Sequence, residues 1–399
     1  MNVRRFSRNA SAAGGHRALA GLAFILAVPA YAAGFPAFEP HVMGLWGNST
    51  GQTALADIDQ DGDPDWVVGQ RGEMVWFEFR GADDWVRHEL GKGAKTDVGG
   101  AVLDINGDGW LDVIAGTAWY RNPRKPLKKS FKCFPVGTIS CHDDVVADVN
   151  GDGRLDVIAC SNDQANPRLV WYAIPENPEK AWAEYVVGEG IHGGVDPAGF
   201  GDLDGDGDLD IVRGDAWFEN ASGDGKQWRG HPVLIPPGGS RIGQFGLCLK
   251  SWVIDLDRDG DLDVIEAEAD FEDCRVLWFE NRDRGATWQP HLISPESTGQ
   301  DFHSLAVADF DNDGDPDVFS GGGPLSKALH CCYIWENADG RGGLWKRHNV
   351  LTGERCHEAK AADVDGDGDV DICFKPWQGS RHIFLENRLV SKRSEAYQP

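Results

Sequence analysis

The chain has 399 residues, 41% of them hydrophobic, and a formal net charge of −26. That apolar content supports a packed core, and the acidity excludes nucleic acid as an expected partner, because such a partner needs a basic face.

In chain order, residues 1–32 read as a secretory signal. Arg4, Arg5, Arg8 and Arg17 precede an apolar run at residues 18–28, and Ala30-Tyr31-Ala32 forms a cleavage site. The apolar run is too short to span a bilayer, and no later run is long enough, so the expected protein is secreted or periplasmic and not membrane-embedded. Nine cysteines then point to disulfides. The spacing favours Cys133 with Cys141, Cys248 with Cys274, and Cys356 with Cys331 or Cys332.

A nine-residue acidic loop recurs seven times, reading Asp-x-Asp/Asn-x-Asp-Gly-x-x-Asp. Its oxygens at positions 1, 3, 5 and 9 are Asp57, Asp59, Asp61 and Asp65; Asp104, Asn106, Asp108 and Asp112; Asp148, Asn150, Asp152 and Asp156; Asp202, Asp204, Asp206 and Asp210; Asp255, Asp257, Asp259 and Asp263; Asp309, Asp311, Asp313 and Asp317; Asp363, Asp365, Asp367 and Asp371. Alternate residues of a tight loop turn their oxygens inward, which is what a hard cation such as calcium requires. Asn106 and Asn150 keep the oxygen but lose a charge, so weaker binding is expected there. An EF-hand is excluded because position 12 of the first loop is Val68, and flanks such as Val113-Ile114 favour strands. Without the four leader arginines the charge is −30, and seven divalent ions would bring it to −16.

The loops start 47, 44, 54, 53, 54 and 54 residues apart, the period of a four-stranded propeller blade. Each repeat has an apolar strand before the loop, a short strand after it, and an aromatic strand such as Trp278-Phe279-Glu280-Asn281. A fourth strand carries an aromatic three residues before a histidine, as in Trp288 and His291. The seventh repeat lacks that strand, and Phe38-Glu39-Pro40-His41-Val42 supplies the missing pattern. The expected fold is an all-β, seven-bladed β-propeller over residues 38–388, closed by the N-terminal strand, with a polar tail at 389–399. Closure of this kind removes open sheet edges.

On these loops the chain resembles the FG-GAP and VCBS repeat family. The resemblance implies a calcium-loaded β-propeller and leaves function open, since the family includes adhesins and lyases.

In such a blade the loops lie on one face and the starts of the inner strands on the other, roughly 20 Å away. His142, His303 and His357 each stand six residues before a loop, with Asp196 in the same phase and His192 just ahead of it. Side chains distant in sequence meet at a propeller axis, so His142, His192, His303 and His357 are candidate ligands for zinc or another transition metal. Hydrogen bonding to neighbouring blades and direct ligand contact without a metal are the other readings of these histidines, and all three stay open. Asp143, Glu358 and Glu266 are candidate bases, and His142, His303 and His357 candidate catalytic groups. Arg213, Lys250, Lys375, Trp377 and Arg381 would contact a substrate, Trp377 as a platform for a sugar ring and the cations for its oxygens, with Asp215, Glu268 and Asp270 on the same loops.

The histidines in Cys141-His142-Asp143 and Cys356-His357-Glu358 also resemble those of the propeller module of fungal aldos-2-ulose dehydratase. That likeness implies a metal polarising a sugar carbonyl while a base removes the adjacent proton. Two functions are therefore expected as alternatives: binding of carbohydrate or a cell-surface partner, or a metal-dependent carbohydrate lyase or dehydratase.

Overall fold

The computed structural model describes residues 34–390, apart from residues 71, 94–99, 164, 191, 244, 248, 295 and 296 and the side chain at 52. The leader, Cys248 and residues 391–399 of the tail lie outside the described residues.

Seven small antiparallel sheets form the blades of a β-propeller, with no helix among the described residues. Blade 1 runs Thr50–Ala56, Asp65–Gln70, Glu73–Gly81 and Asp84–Lys92 in spatial order. The chain closes as its ends suggest. Phe38–Leu45 pairs antiparallel with Arg381–Asn387, Phe38 opposite Asn387 and Leu45 opposite Arg381, and becomes the outer strand of blade 7. His41 fastens this seam through Glu386 at 3.0 Å and Asp83 of blade 1 at 2.9 Å.

The period-2 alternation of strands decides which neighbour each side chain meets. In blade 1, Val67 and Trp76 pack against Val113, Ala115 and Tyr120 of blade 2, whereas Trp66, Val68 and Phe77 pack against Val364, Cys373 and Phe384 of blade 7. The core is thus a ring of layers between blades. Trp66, Trp76, Trp119, Trp171 and Trp335 are fully buried in it, each worth roughly 5 kcal/mol of transfer free energy before entropy is counted. The histidines of the outer strands belong to this frame: His88, His231 and His291 stack on Trp76, Trp217 and Trp278, and bond Glu78, Glu219 and Glu280 at 2.6–2.7 Å.

Blade 4 departs from the pattern. Its inner strand is broken into Pro197–Ala198, which pairs in parallel with Leu249–Ile254 of blade 5, and Phe200–Gly201, which stays in its own blade. The break turns Asp196 into the central channel beside Lys250.

Among the described residues neither Cys133–Cys141 nor a pairing of Cys356 with Cys331 or Cys332 is a disulfide, and the Cys248–Cys274 pairing lies outside the described residues. The layering explains two of them. Cys133 packs between blades 1 and 2 while Cys141 lies between blades 2 and 3, and Cys331 and Cys356 are likewise in different layers. Cys332 shares the layer of Cys356, and their thiols are neighbours without being bonded.

Candidate functional site

The two faces of the disc carry different chemistry. On the loop face, backbone hydrogen bonds preform each turn. In the first loop Asp57 accepts from the Asp61 and Gly62 amides at 3.1 and 3.2 Å, and Gly62 sits at φ 109°, where a side chain would be strained. Oxygens of Asp57, Asp59 and Asp61 lie within 4.8 Å of one another, as do those of Asp202, Asp204 and Asp206 and of Asp255, Asp257 and Asp259.

The ninth aspartate has a further role. Asp65 is wholly buried and accepts from the Ile58 amide at 2.9 Å and the Phe79 amide at 3.1 Å, tying the loop to the third strand. Asp263 and Asp371 repeat this brace. Burial, with the nearby Asp59 and Asp61, pushes the Asp65 carboxyl up to about 8, and burial with Asp61 pushes Asp59 up to about 6. So many strained carboxylates with oxygen-only donors suit a hard divalent cation.

At the other end of the inner strands, blades 3 to 7 each send side chains to the channel rim. His142 holds its Nδ1 2.6 Å from Asp143, whose other oxygen accepts from the Val195 and Asp196 amides at 3.2 Å. Burial works against the charged form of Asp143, but His142 and Lys250 hold it down at about 2. The His142 and His192 rings are 4.2 Å apart, and Phe245 stacks on the far side of His192 at 5.1 Å.

Asp270 joins the two halves of the rim. One oxygen is 3.1 Å from His192 Nε2 and the other 3.7 Å from His303 Nε2, and all three ligand atoms fall within 4.8 Å of one another. His192 and Asp270 are held at φ 57° and 65°, a conformation that costs energy in non-glycine residues and recurs at functional sites. Buried Asp301 fixes Asp270 by accepting its amide at 2.8 Å. Gly323 lets the neighbouring strand approach, since a Cβ there would stand 2.9 Å from that of His303.

His357 stacks on His303 at 3.9 Å and lies tilted against Trp377 at 5.0 Å. Lys375 donates to its Nδ1 at 3.0 Å and also to the Thr50 carbonyl. That bond leaves the His357 proton on Nε2, so this imidazole presents an N–H donor at the rim. Burial first, then neighbouring charge, lowers His142, His303 and His357, the second to about 3, and keeps all three neutral.

Beneath the rim lies a charged quartet, three of its members buried and Lys360 half-buried. Lys250 bridges Asp196 at 2.8 Å and Glu358 at 2.9 Å, and Lys360 reaches the same two carboxylates at 3.1 and 3.5 Å. Burial and Asp196 raise Glu358 to about 7 against the pull of both lysines. A small cavity reaches from His142 and Asp143 to this quartet, and a channel cavity of about 230 Å³ continues past Val102, Val145 and Phe200.

Sequence position therefore located the rim, and the structure redistributes its roles. His142, His192, His303, His357 and Trp377 come together, and Asp143 supports them. Lys250, Glu358 and Lys375 are buried and bonded within the protein instead of facing a ligand. Glu266 is wholly buried elsewhere, among Glu268, Asp215 and Arg275, and both its oxygens lack a hydrogen-bond partner. Arg213 packs on Gly190 and Gly194, and exposed Arg381 pairs with Glu354 at 3.2 Å. Phe245 and Lys360 had no signal in the repeat, because one lies in the long connection after blade 4 and the other inside an ordinary strand.

The fold is a seven-bladed β-propeller with an acidic loop in every blade. The FG-GAP-like repeat family matches this chain three times, at residues 57–115, 148–212 and 255–320. No curated protein matches the chain. Among solved structures, it is similar to a lectin of Agrocybe aegerita described as recognising non-reducing terminal N-acetylglucosamine, with 18% identity and a TM-score of 0.49 over 77% of this chain and 81% of the lectin. It is also similar to the NanB sialidase of Streptococcus pneumoniae, with 10% identity and a TM-score of 0.42 over 89% of this chain and 71% of the sialidase. Among the described residues no helix is long and apolar enough to cross a membrane.

Proposed function

We propose that this is an exported propeller that binds carbohydrate, free or on a cell surface, at the histidine rim through a transition metal such as zinc, while calcium in the opposite loops rigidifies the disc. The observation that carries the reading is the convergence of His192, Asp270 and His303, two imidazoles and one carboxylate with ligand atoms within 4.8 Å. Nitrogen with a single carboxylate suits zinc or iron better than calcium. A metal so held supplies Lewis acidity toward sugar hydroxyl or carbonyl oxygens. Around it the chain offers the faces of Trp377 and Phe245 for a ring and His357 Nε2 as a donor.

The test is elemental analysis of the purified protein with glycan binding measured alongside. Expected is one transition metal per chain that excess calcium does not displace. Asp270→Asn should lower its affinity on the order of 100-fold, about 2.7 kcal/mol, and weaken glycan binding in parallel. A calcium-only protein that still binds glycan would sink the metal reading.

One observation favours catalysis as the second reading. With Nδ1 committed to Asp143 at 2.6 Å, neutral His142 presents Nε2 as a base. In a lyase or dehydratase that nitrogen would take the proton from the carbon beside a sugar carbonyl, and elimination would expel the β-oxygen. His142→Gln should then abolish turnover and leave glycan affinity within about twofold. Unchanged turnover of a sugar substrate would remove His142 from this role.

A further inference from the structure

The seven loops are not chemically equal. In the first and the fourth to seventh, position 7 is also an aspartate, namely Asp63, Asp208, Asp261, Asp315 and Asp369, so each of these loops holds five carboxylates. The second and third loops lack that aspartate and the one at position 3 together. They read Asn106 with Trp110 and Asn150 with Arg154, and each keeps three carboxylates.

The same two loops carry a cation of the chain's own. Arg124 Nε donates to Asp108 Oδ2 at 2.9 Å, and Arg154 Nη2 donates to Asp152 Oδ2 at 2.9 Å. Asp108 and Asp152 both stand at position 5, which in the first, fourth and fifth loops is one of the three carboxylates that converge. The guanidinium thus holds an oxygen that an ion would need. Arg258 makes a different contact: it reaches Asp315 at position 7 of the sixth loop, outside the convergent three. The turn itself does not distinguish the classes. Asp104 accepts from the Asp108 and Gly109 amides at 3.0 and 2.7 Å, and Asp148 from Asp152 and Gly153 at 3.1 and 2.8 Å, as in the first loop. In the second loop the Asn106 side-chain amide bonds Asp112 at 3.3 Å, so these two residues satisfy each other within the turn.

We infer that five of the seven loops take calcium and that the second and third are arginine-countered turns that fold without an ion. The inference rests on the calcium reading of the loops and sharpens it. Blades 2 and 3 are adjacent, so the ring of ions has a gap on one side of the disc.

Calcium counted per full chain, after loading and removal of excess, tests it. Five is expected; six or seven overturns the inference, and a count near zero overturns the calcium reading itself. Asn150→Asp with Arg154→Asp gives the third loop the composition of the five-carboxylate class and should raise the count by one. If that variant does not fold, the converse decides: Asp204→Asn with Asp208→Arg in the fourth loop should lower the count by one. An unchanged count in that folded variant overturns the division into classes.

Discussion

The loop face and the rim face are built by opposite strategies. Each loop is a contiguous stretch of nine residues whose backbone preforms its own turn, repeated seven times with oxygen donors only. The rim takes one or two residues from each of blades 3 to 7, mixes nitrogen with oxygen, and depends on braces such as Asp301 and Lys375. A local site tolerates change in the rest of the fold; a convergent site requires the ring to be closed and in register. The faces should therefore respond differently to metal removal and pH.

The largest effect belongs to the loop face. Without cations the carboxylates of a loop repel and are partly buried, as the raised Asp59 and Asp65 show. Each occupied site contributes about 2.7 kcal/mol at a hundredfold excess of ligand over Kd. Several sites together should make a calcium chelator lower the melting temperature by roughly 10–20 °C. A melting curve unmoved by chelator would erase the contrast between the faces.

The next effect is acid sensitivity at the rim side. His382 is buried and neutral: its Nδ1 accepts from the Trp66 indole at 3.2 Å, and its Nε2 donates to the Trp46 carbonyl at 3.0 Å. Burial, aided by Lys375, lowers its pKa to about 4 from the ordinary 6.5. Above the unfolded value neither state binds the proton, so there is no effect. Between 6.5 and 4 only the unfolded state takes it, and stability falls as pH falls, by about 3 kcal/mol in total. Urea titrations at stepped pH should show this loss in the parent and a flatter limb in His382→Gln. Identical slopes would show that the imidazole is not the titrating group.

The same contrast explains what the sequence could reveal. A contiguous motif announces its residues and, through its period, the blade count and the closing strand. Counting back from each loop also found His142, His303 and His357, because strand geometry is regular within a blade. It failed where regularity fails. Asp196 shares their phase, yet the broken strand of blade 4 turns it toward Lys250 instead of the metal candidates. Asp270 stood out only as one of several rim-loop acids, and its bridging role depends on a φ of 65° that no periodicity encodes. Lys250 and Lys375 look like ligand cations in sequence, but the fold buries both and supplies partners from other strands.

The smallest effect probes how the loops communicate. Asn387, buried at the end of the third strand of blade 7, donates to the Phe310 carbonyl of the sixth loop at 2.8 Å and to the Val370 carbonyl of the seventh at 3.2 Å. Asn281 makes the same pin between the fourth and fifth loops. Blade 1 has Phe79 in this place, which brings the backbone bond to Asp65 but no side-chain pin. Asn387→Ala should cost about 1–3 kcal/mol, because it strands the buried Phe310 carbonyl and the partly buried Val370 carbonyl, and should weaken calcium binding in the sixth and seventh loops together. A metal at the proposed rim site should keep its affinity, because His192, Asp270 and His303 lie at the opposite end of the strands. Equal loss on both faces would mean that the disc responds as one rigid body; loss confined to the loops would show that the pins couple ion sites around the ring and not through it.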